Sequence, residues 1–132
     1  MEVPVLKEWI KALRSGNYAQ GKTRLHSESG GKHTYCCLGV LCELAVKEKV
    51  IPPPDSLAME VDGKTITVYY YGDDNYVDAK NICILPRKVR NWLTEGLRSG
   101  YFPTSVLINM NDRTENPQSF EQIADYLEKE WS

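Results

Sequence analysis

The sequence lacks the features of several large classes of protein. Its 16 basic and 18 acidic residues give a formal net charge of −2, so it has no basic excess of the kind that neutralises duplex nucleic acid phosphates. No stretch approaches the roughly 20 apolar residues that span a bilayer. The N-terminal residues MEVPVLKEW contain no cationic segment followed by an apolar run. We therefore expect a cytoplasmic protein that binds neither duplex nucleic acid nor a membrane.

Patterns that bind metal ions or form disulfides are also missing. The four cysteines and two histidines show no C-x-x-C or H-x-x-x-H spacing, so we predict no metal site. Cys36, Cys37 and Cys42 lie in one apolar stretch, and the reducing cytosol would keep them and Cys83 as thiols. We interpret these cysteines as core residues. The alternative is a nucleophilic Cys36 at a helix N-terminus with His33 as its base.

What the sequence does contain is one strongly apolar stretch against which the rest can pack. Residues 34–49, TYCCLGVLCELAVKEK, carry no charge from Tyr35 to Cys42 and have an apolar face with a 3.6-residue period. This pattern predicts a buried central helix capped by Thr34. Gly39 lowers helix propensity by roughly 1 kcal/mol relative to alanine, which suggests that another backbone or a ligand passes close to it.

The flanking segments predict three more helices, making about four in all. An amphipathic pattern predicts one over residues 4–15, and Pro86 opens a second that runs through Leu93. Ser119 and Gln122 form a capping box for the last helix, whose apolar stripe ends at Trp131.

A small antiparallel sheet is predicted between these helices. Asp62-Gly63 joins two strand-like segments, which predicts a hairpin with strands over 58–61 and 64–71. A third, weaker strand is predicted over 76–85, and residues 17–33 and 101–117 are interpreted as irregular loops. At 132 residues the chain is expected to form a single α+β domain spanning 1–132.

Residues 16–23, GNYAQGKT, match the P-loop pattern G-x-x-x-x-G-K-[ST] in the wrong context. A P-loop follows a buried strand and precedes a helix, whereas here a helix precedes and a Ser/Gly-rich loop follows. A weaker hypothesis remains, in which the cations of this loop bind an anion near the N-terminus of the central helix. The alternative is a solvated cationic loop without function. The residues concerned are Lys22, Arg24, His26, Lys32 and His33.

The two ends of the chain resemble a family of small proteins encoded by tailed bacteriophages and prophages. The resemblance rests on YCCLGVLCELAV at 35–46, preceded by W-x-x-x-LRSG-x-Y-x-QG at 9–21 and followed by LINMND at 107–112 and SFEQIADYLE at 119–128. It covers about residues 4–48 and 84–131. Small accessory phage proteins often act against host defence, and several unrelated families sequester ADP-ribose derivatives or cyclic oligonucleotides made by bacterial immune systems. The resemblance therefore implies such a sequestering protein in the host cytoplasm.

The primary hypothesis is a non-enzymatic, cofactor-free protein that binds a small phosphorylated nucleotide-type ligand. Phosphate requires cations, a base stacks on aromatic rings, and ribose or base edges bind amides and carboxylates. The candidates are, in that order, Lys22, Arg24 and Arg113; Tyr18, Tyr70 and Trp92; and Gln20, Asn111 and Asp112.

Two other classes of function remain open. One is a small enzyme that acts on a nucleotide or through Cys36 and His33. The other is a protein that inhibits a host factor through its tyrosine-rich hairpin. The sequence does not decide between a monomer and a homodimer.

Overall fold

The computed structural model describes residues 4–22, 24–71, 85–95, 104–112 and 118–131. Within these ranges the chain forms five helices and a four-stranded antiparallel sheet, which confirms the predicted α+β class. No helix there is long and apolar enough to cross a membrane. The helices are α1 Pro4–Arg14, α2 Cys37–Lys47, α3 Arg87–Glu95, α4 Thr104–Asp112 and α5 Phe120–Trp131; the strands are β1 His26–Ser29, β2 Lys32–Tyr35, β3 Asp55–Val61 and β4 Lys64–Tyr70.

Helix α2 lies at the centre of the core, as predicted, but it begins later than expected. The prediction that Thr34 caps it is wrong, because Thr34 belongs to β2 and Cys36 is the residue before the first turn. The strand continues to Tyr35 because its backbone pairs with β1. Cys36, Cys37 and Cys42 are all buried, which confirms their interpretation as core residues. Cys83 lies outside the described residues.

Helices α1 and α5 pack against each other through the predicted apolar faces. The capping box of α5 forms both of its hydrogen bonds. The backbone amide of Gln122 donates to Ser119 Oγ at 3.2 Å, and the backbone amide of Ser119 donates to Gln122 Oε1 at 2.9 Å. Arg14 joins the two helices through Asp125 at 2.7 Å and Glu128 at 3.0 Å. The Trp131 side chain falls outside what the structure describes. The buried apolar residues are Leu6, Trp9, Ile10 and Leu13 of α1 and Phe120, Ile123, Ala124 and Leu127 of α5.

Residues 17–33 do not form the predicted irregular loop, because β1 and β2 make a hairpin within this segment. Ser29 pairs with Lys32 across Gly30-Gly31, whose φ angles are 60° and 84°. A two-residue turn of this kind needs left-handed backbone at both positions, which glycine adopts without steric cost. The pattern was missed because the strands read HSES and KHTY, which lack the alternating apolar residues of a half-buried strand.

The Asp62-Gly63 hairpin is present as predicted, with φ angles of 52° and 78° at its turn. Its first strand begins at Asp55, three residues before the predicted 58–61, and its second ends at Tyr70. The strand order is β2-β1-β4-β3, so the polar hairpin and the tyrosine-rich hairpin form one sheet. The strand predicted over 76–85 lies, apart from Leu85, outside the described residues.

The prediction of an irregular loop over 101–117 is wrong for its central part, which forms α4. Val106, Ile108 and the asparagines of this segment are poor helix formers, so local propensity did not favour a helix. Leu107 and Asn111 are four residues apart, both are fully buried, and α4 packs against α2. Tertiary packing therefore outweighs propensity here.

Candidate functional site

Three aromatic rings from neighbouring strands stack on one another on one face of the sheet. His26 pairs with Tyr35 across β1 and β2, and the register of β1 with β4 brings Tyr69 to its other side. The His26 ring centroid lies 4.2 Å from that of Tyr35 and 4.0 Å from that of Tyr69, with interplanar angles of 24° and 13°. We call these three residues the aromatic ladder. Tyr18 packs edge-on against Tyr35, with 5.2 Å between ring centroids.

A chain of hydrogen bonds passes through His26 from the interior to the surface. The Tyr71 hydroxyl donates to Glu43 Oε2 at 2.7 Å, and the Tyr71 oxygen lies 2.8 Å from His26 Nδ1. His26 Nε2 in turn lies 2.8 Å from His33 Nδ1. His26 and Tyr71 are each only 5% exposed, whereas His33 is exposed to solvent. We call Glu43, Tyr71, His26 and His33 the relay.

Burial and the Glu43 carboxylate set the protonation states of this cluster. Burial, together with electrostatic repulsion from the neighbouring His33, lowers the pKa of His26 to about 4. Burial, assisted by Glu43, raises the pKa of Tyr35 to about 12 and raises the pKa of Tyr71 well above its usual value. His26 is therefore a neutral imidazole near pH 7, and both tyrosines keep their protons.

Stability is expected to fall as the pH is lowered from about 6.5 to about 4. In the unfolded chain His26 binds a proton with an ordinary pKa near 6.5, whereas in the folded protein it does so only near pH 4. The unfolded state therefore binds more protons in this range, and the free energy of unfolding should drop by up to about 3 kcal/mol before levelling off below pH 4. Urea denaturation at a series of pH values measures this slope.

Two variants test the assignment of that slope. His26→Phe removes the titrating group and should flatten the curve between pH 4.5 and 6.5. His33→Gln leaves His26 in place and should retain most of the slope. The other groups that face His26 are Tyr35, Tyr69 and Tyr71, and Glu43 bonds to the far side of the Tyr71 hydroxyl. An unchanged slope in His26→Phe would assign the effect to another group.

Gln20 and Asn111 come together as the sequence suggested, but they bond to the protein itself. Asn111 is fully buried, and its Oδ1 accepts from Gln20 Nε2 at 3.0 Å and from the Cys37 amide at 3.3 Å. Its Nδ2 donates to the Gly21 carbonyl and to Asp112 Oδ1, each at 2.8 Å. Gln20 also bonds to the backbone at the start of α5. These side chains therefore position the loop that precedes β1, and Asn111 has no group left over for a ligand.

The predicted anion site at the start of α2 is not open. Cys36, Cys37 and Leu38 are buried there, and the Cys37 amide is already capped by Asn111. The P-loop-like segment is likewise bonded internally, since the Gly21 amide donates to the Tyr35 carbonyl at 2.7 Å. The Cys37 and Gly21 amides are therefore occupied by protein acceptors and are not available to a phosphate.

Of the three predicted phosphate-binding cations, Arg24 lies nearest to the aromatic ladder along the chain. It is half-buried two residues before His26, and within the described ranges no carboxylate lies at ion-pair distance from its guanidinium. Lys22 is exposed on the same segment. Arg113 lies outside the described residues. Of the two cations that the structure describes, Arg24 is therefore the better placed to bind an anion.

The predicted stacking residues separate in the structure. Tyr18 packs edge-on against the aromatic ladder. Tyr70 points to the opposite face of the sheet because side chains alternate along β4. Trp92 is half-buried on α3 and packs against the helical core. Sequence reasoning missed Tyr69 and Tyr71, which lie with His26. The Gly30-Gly31 turn could have indicated the pairing of His26 with Tyr35, but no local signal marks the pairing of β1 with β4 that brings Tyr69 and Tyr71 to His26.

The thiol alternative has little support from the positions of its two residues. Cys36 is only 5% exposed, and His33 Nδ1 is directed at His26. Across the described part of the chain, no group of three or more His, Cys, Asp or Glu residues is placed to bind a metal ion.

Comparison with known proteins identifies a family but no activity. A family model described as a domain of unknown function, DUF8296, matches residues 1–131. No curated protein and no solved structure matches the chain.

Proposed function

The chain belongs to the DUF8296 family, and we propose that it is a binding protein that sequesters a phosphorylated nucleotide-type molecule without altering it. The aromatic ladder carries this proposal. Its rungs come from β2, β1 and β4, and the residue opposite Tyr69 on the next strand, β3, is the small and exposed Ser56. Among the described residues, the ladder thus ends at Tyr69, beside a position that no ring fills.

The dimensions of the ladder suit a nucleobase at this position. Its rings are 4.0 and 4.2 Å apart, which is stacking distance, and neighbouring strands are about 4.8 Å apart. A base placed over Ser56 would stack on Tyr69 as the fourth rung. Stacking of one base on an aromatic side chain contributes roughly 1–3 kcal/mol and tolerates any base identity.

Arg24 supports the phosphate part of the proposal. A guanidinium that is half-buried and has no carboxylate partner among the described residues is well suited to bidentate binding of a phosphate. Lys22, two residues earlier, supplies a second cation on the same segment. The negative charge of Glu43 does not oppose this arrangement directly, because the carboxylate is bonded to Tyr71 inside the cluster.

The resemblance to small phage proteins suggests the biological setting. In that setting the ligand is an ADP-ribose derivative or a cyclic nucleotide made by a bacterial immune system. Holding it would lower its free concentration and inhibit anti-phage defence. Sequestration needs tight binding and an unreactive site, and the buried His26 is a neutral imidazole whose two nitrogens already bond to Tyr71 and His33.

Thermal denaturation with candidate nucleotides tests the proposal. A ligand at about 100 times its dissociation constant stabilises the folded state by roughly 2.7 kcal/mol, which raises the Tm of a domain of this size on the order of 5–10 °C. The panel is ADP-ribose derivatives, cyclic dinucleotides and cyclic trinucleotides. Arg24→Ala should abolish the shift, and Arg90→Ala, an exposed arginine on α3, should retain it. Both variants should have nearly the parental Tm without ligand.

The state of the ligand after binding separates the alternatives. Heating the complex should return the nucleotide chemically intact. Recovery of a cleaved product would support an enzyme instead. If no nucleotide changes the Tm and a host protein binds the tyrosine-rich hairpin, the protein inhibits a protein partner.

A further inference from the structure

The hydrogen bonds of the relay also determine which nitrogen of each histidine carries a proton. Tyr71 has one hydroxyl proton, and it donates that proton to Glu43, so its oxygen can only accept from His26. His26 Nδ1 must therefore carry a proton. Because the buried His26 is neutral, its Nε2 is unprotonated and can only accept from His33 Nδ1. In every hydrogen bond of the relay, the donor is thus the outer residue and the acceptor is the residue nearer to the Glu43 carboxylate.

The consequence appears at the exposed end of the relay. When His33 is a neutral imidazole, its single proton is on Nδ1, so Nε2 presents a lone pair to solvent. We propose that His33 Nε2 is a preset hydrogen-bond acceptor that recognises a ribose hydroxyl of the bound nucleotide. This inference rests on the proposed function. It assigns a protein contact to the ribose, whereas Tyr69 would stack on the base and Arg24 would bind the phosphate. Glu43, Tyr71 and His26 are positioning residues that hold His33 in this tautomer.

The geometry of the face agrees with this role. The His33 ring centroid lies 5.9 Å from that of Tyr69, with the planes tilted by 39°. Because His26 occupies one face of Tyr69, a base over Ser56 would stack on the other face, and its sugar would reach His33 by extending past the edge of the Tyr69 ring. Glu28, the cross-strand partner of His33, accepts from the Gly31 amide at 3.1 Å, which ties this carboxylate to the turn.

Nitrogen-15 NMR of the two histidines tests the tautomers without any ligand. At mildly alkaline pH, both rings should show a protonated Nδ1 and an unprotonated Nε2. Glu43→Gln provides the matched change, because the amide can donate to Tyr71 as well as accept from it. In that variant the fixed direction should be lost and His33 should show a mixture of tautomers. A protonated Nε2 on His33 in the parent protein would overturn the inference.

Binding of matched ligands tests the recognition itself. The parent protein should bind the ribonucleotide roughly tenfold more tightly than its 2′-deoxy or 3′-deoxy analogue, the size expected for one lost hydrogen bond. His33→Ala, at an exposed position, should fold normally and bind all three equally. Tyr71→Phe interrupts the relay and should reduce the discrimination while retaining stacking.

The outcomes distinguish this inference from the proposed function. If a nucleotide binds in an Arg24-dependent manner but its ribo and deoxy forms bind equally to the parent protein, only the role of His33 is overturned. The same holds if discrimination persists in His33→Ala. If no nucleotide binds at all, the proposed function fails and the role of His33 fails with it.

Discussion

Gly39→Ala is expected to lower the free energy of unfolding by about 3 kcal/mol or more and the Tm by on the order of 10 °C. A Cβ at this position would overlap the backbone oxygen of Leu25 and lie 2.6 Å from its carbonyl carbon. The obstructing atoms are backbone, so no side-chain rotation can relieve the overlap. The close approach that the sequence suggested at Gly39 is therefore confirmed, and the neighbour is the segment that leads into β1.

The sign of this effect makes the experiment decisive. Alanine in an open helix position is more stable than glycine by about 1 kcal/mol, so a Gly39→Ala protein with a raised Tm would show that the helix face is not crowded. Gly30→Ala is the control, because a Cβ there meets no atom within 4 Å and introduces only the strain of φ = 60°. It should lose about 1–2 kcal/mol. Urea denaturation of both variants gives the comparison.

The same substitution should also disturb the candidate site. The Leu25 carbonyl accepts from the Cys36 amide at 3.3 Å, so it fixes the chain between Arg24 and His26 against the start of α2. Displacing Leu25 would shift the first residue of β1 and with it the aromatic ladder. Nucleotide binding should accordingly weaken in any Gly39 variant that still folds.

Asn111→Ala is expected to destabilise the fold by roughly 3–5 kcal/mol. The substitution leaves a cavity at a fully buried position and removes the bonding partners of the Cys37 amide and the Gly21 carbonyl. Each buried polar group that loses its partner costs about 1–3 kcal/mol. Circular dichroism during urea denaturation measures the loss.

Two further variants show whether the hydrogen bonds or the volume of Asn111 matter. Asn111→Asp keeps the size and the acceptor, but it removes both donors and places a carboxylate beside Asp112. It should therefore be as destabilising as Asn111→Ala at pH 7. Asn91→Ala, at an exposed position on α3, should change stability by less than about 0.5 kcal/mol. A loss below 1 kcal/mol in Asn111→Ala would show that the buried hydrogen bonds are not needed for stability.

Patterns in the sequence were sufficient to predict the elements that are determined by residues adjacent in the chain. The apolar run of α2, the Ser119 capping box and the Asp62-Gly63 turn each combine a periodicity or a turn chemistry with residues that are adjacent in the chain. The close approach at Gly39 could also be predicted, because a glycine inside an apolar helix indicates a close neighbour. The sequence did not show that this neighbour is the backbone of Leu25. The described residues form five helices, one more than the predicted four, since α4 lacks a local helical signal.

Only the tertiary structure decided which side chains form the site. His26 and Tyr71 are 45 residues apart, and their hydrogen bond exists because β1 pairs with β4. Strands β1 and β2, which carry His26 and Tyr35, have no apolar alternation, so periodicity does not reveal them. Likewise, the sequence offers Asn111 as a ligand-binding residue, but in the fold its side chain is fully bonded, because three of its four partners, Gln20, Gly21 and Cys37, come from segments that packing alone brings together.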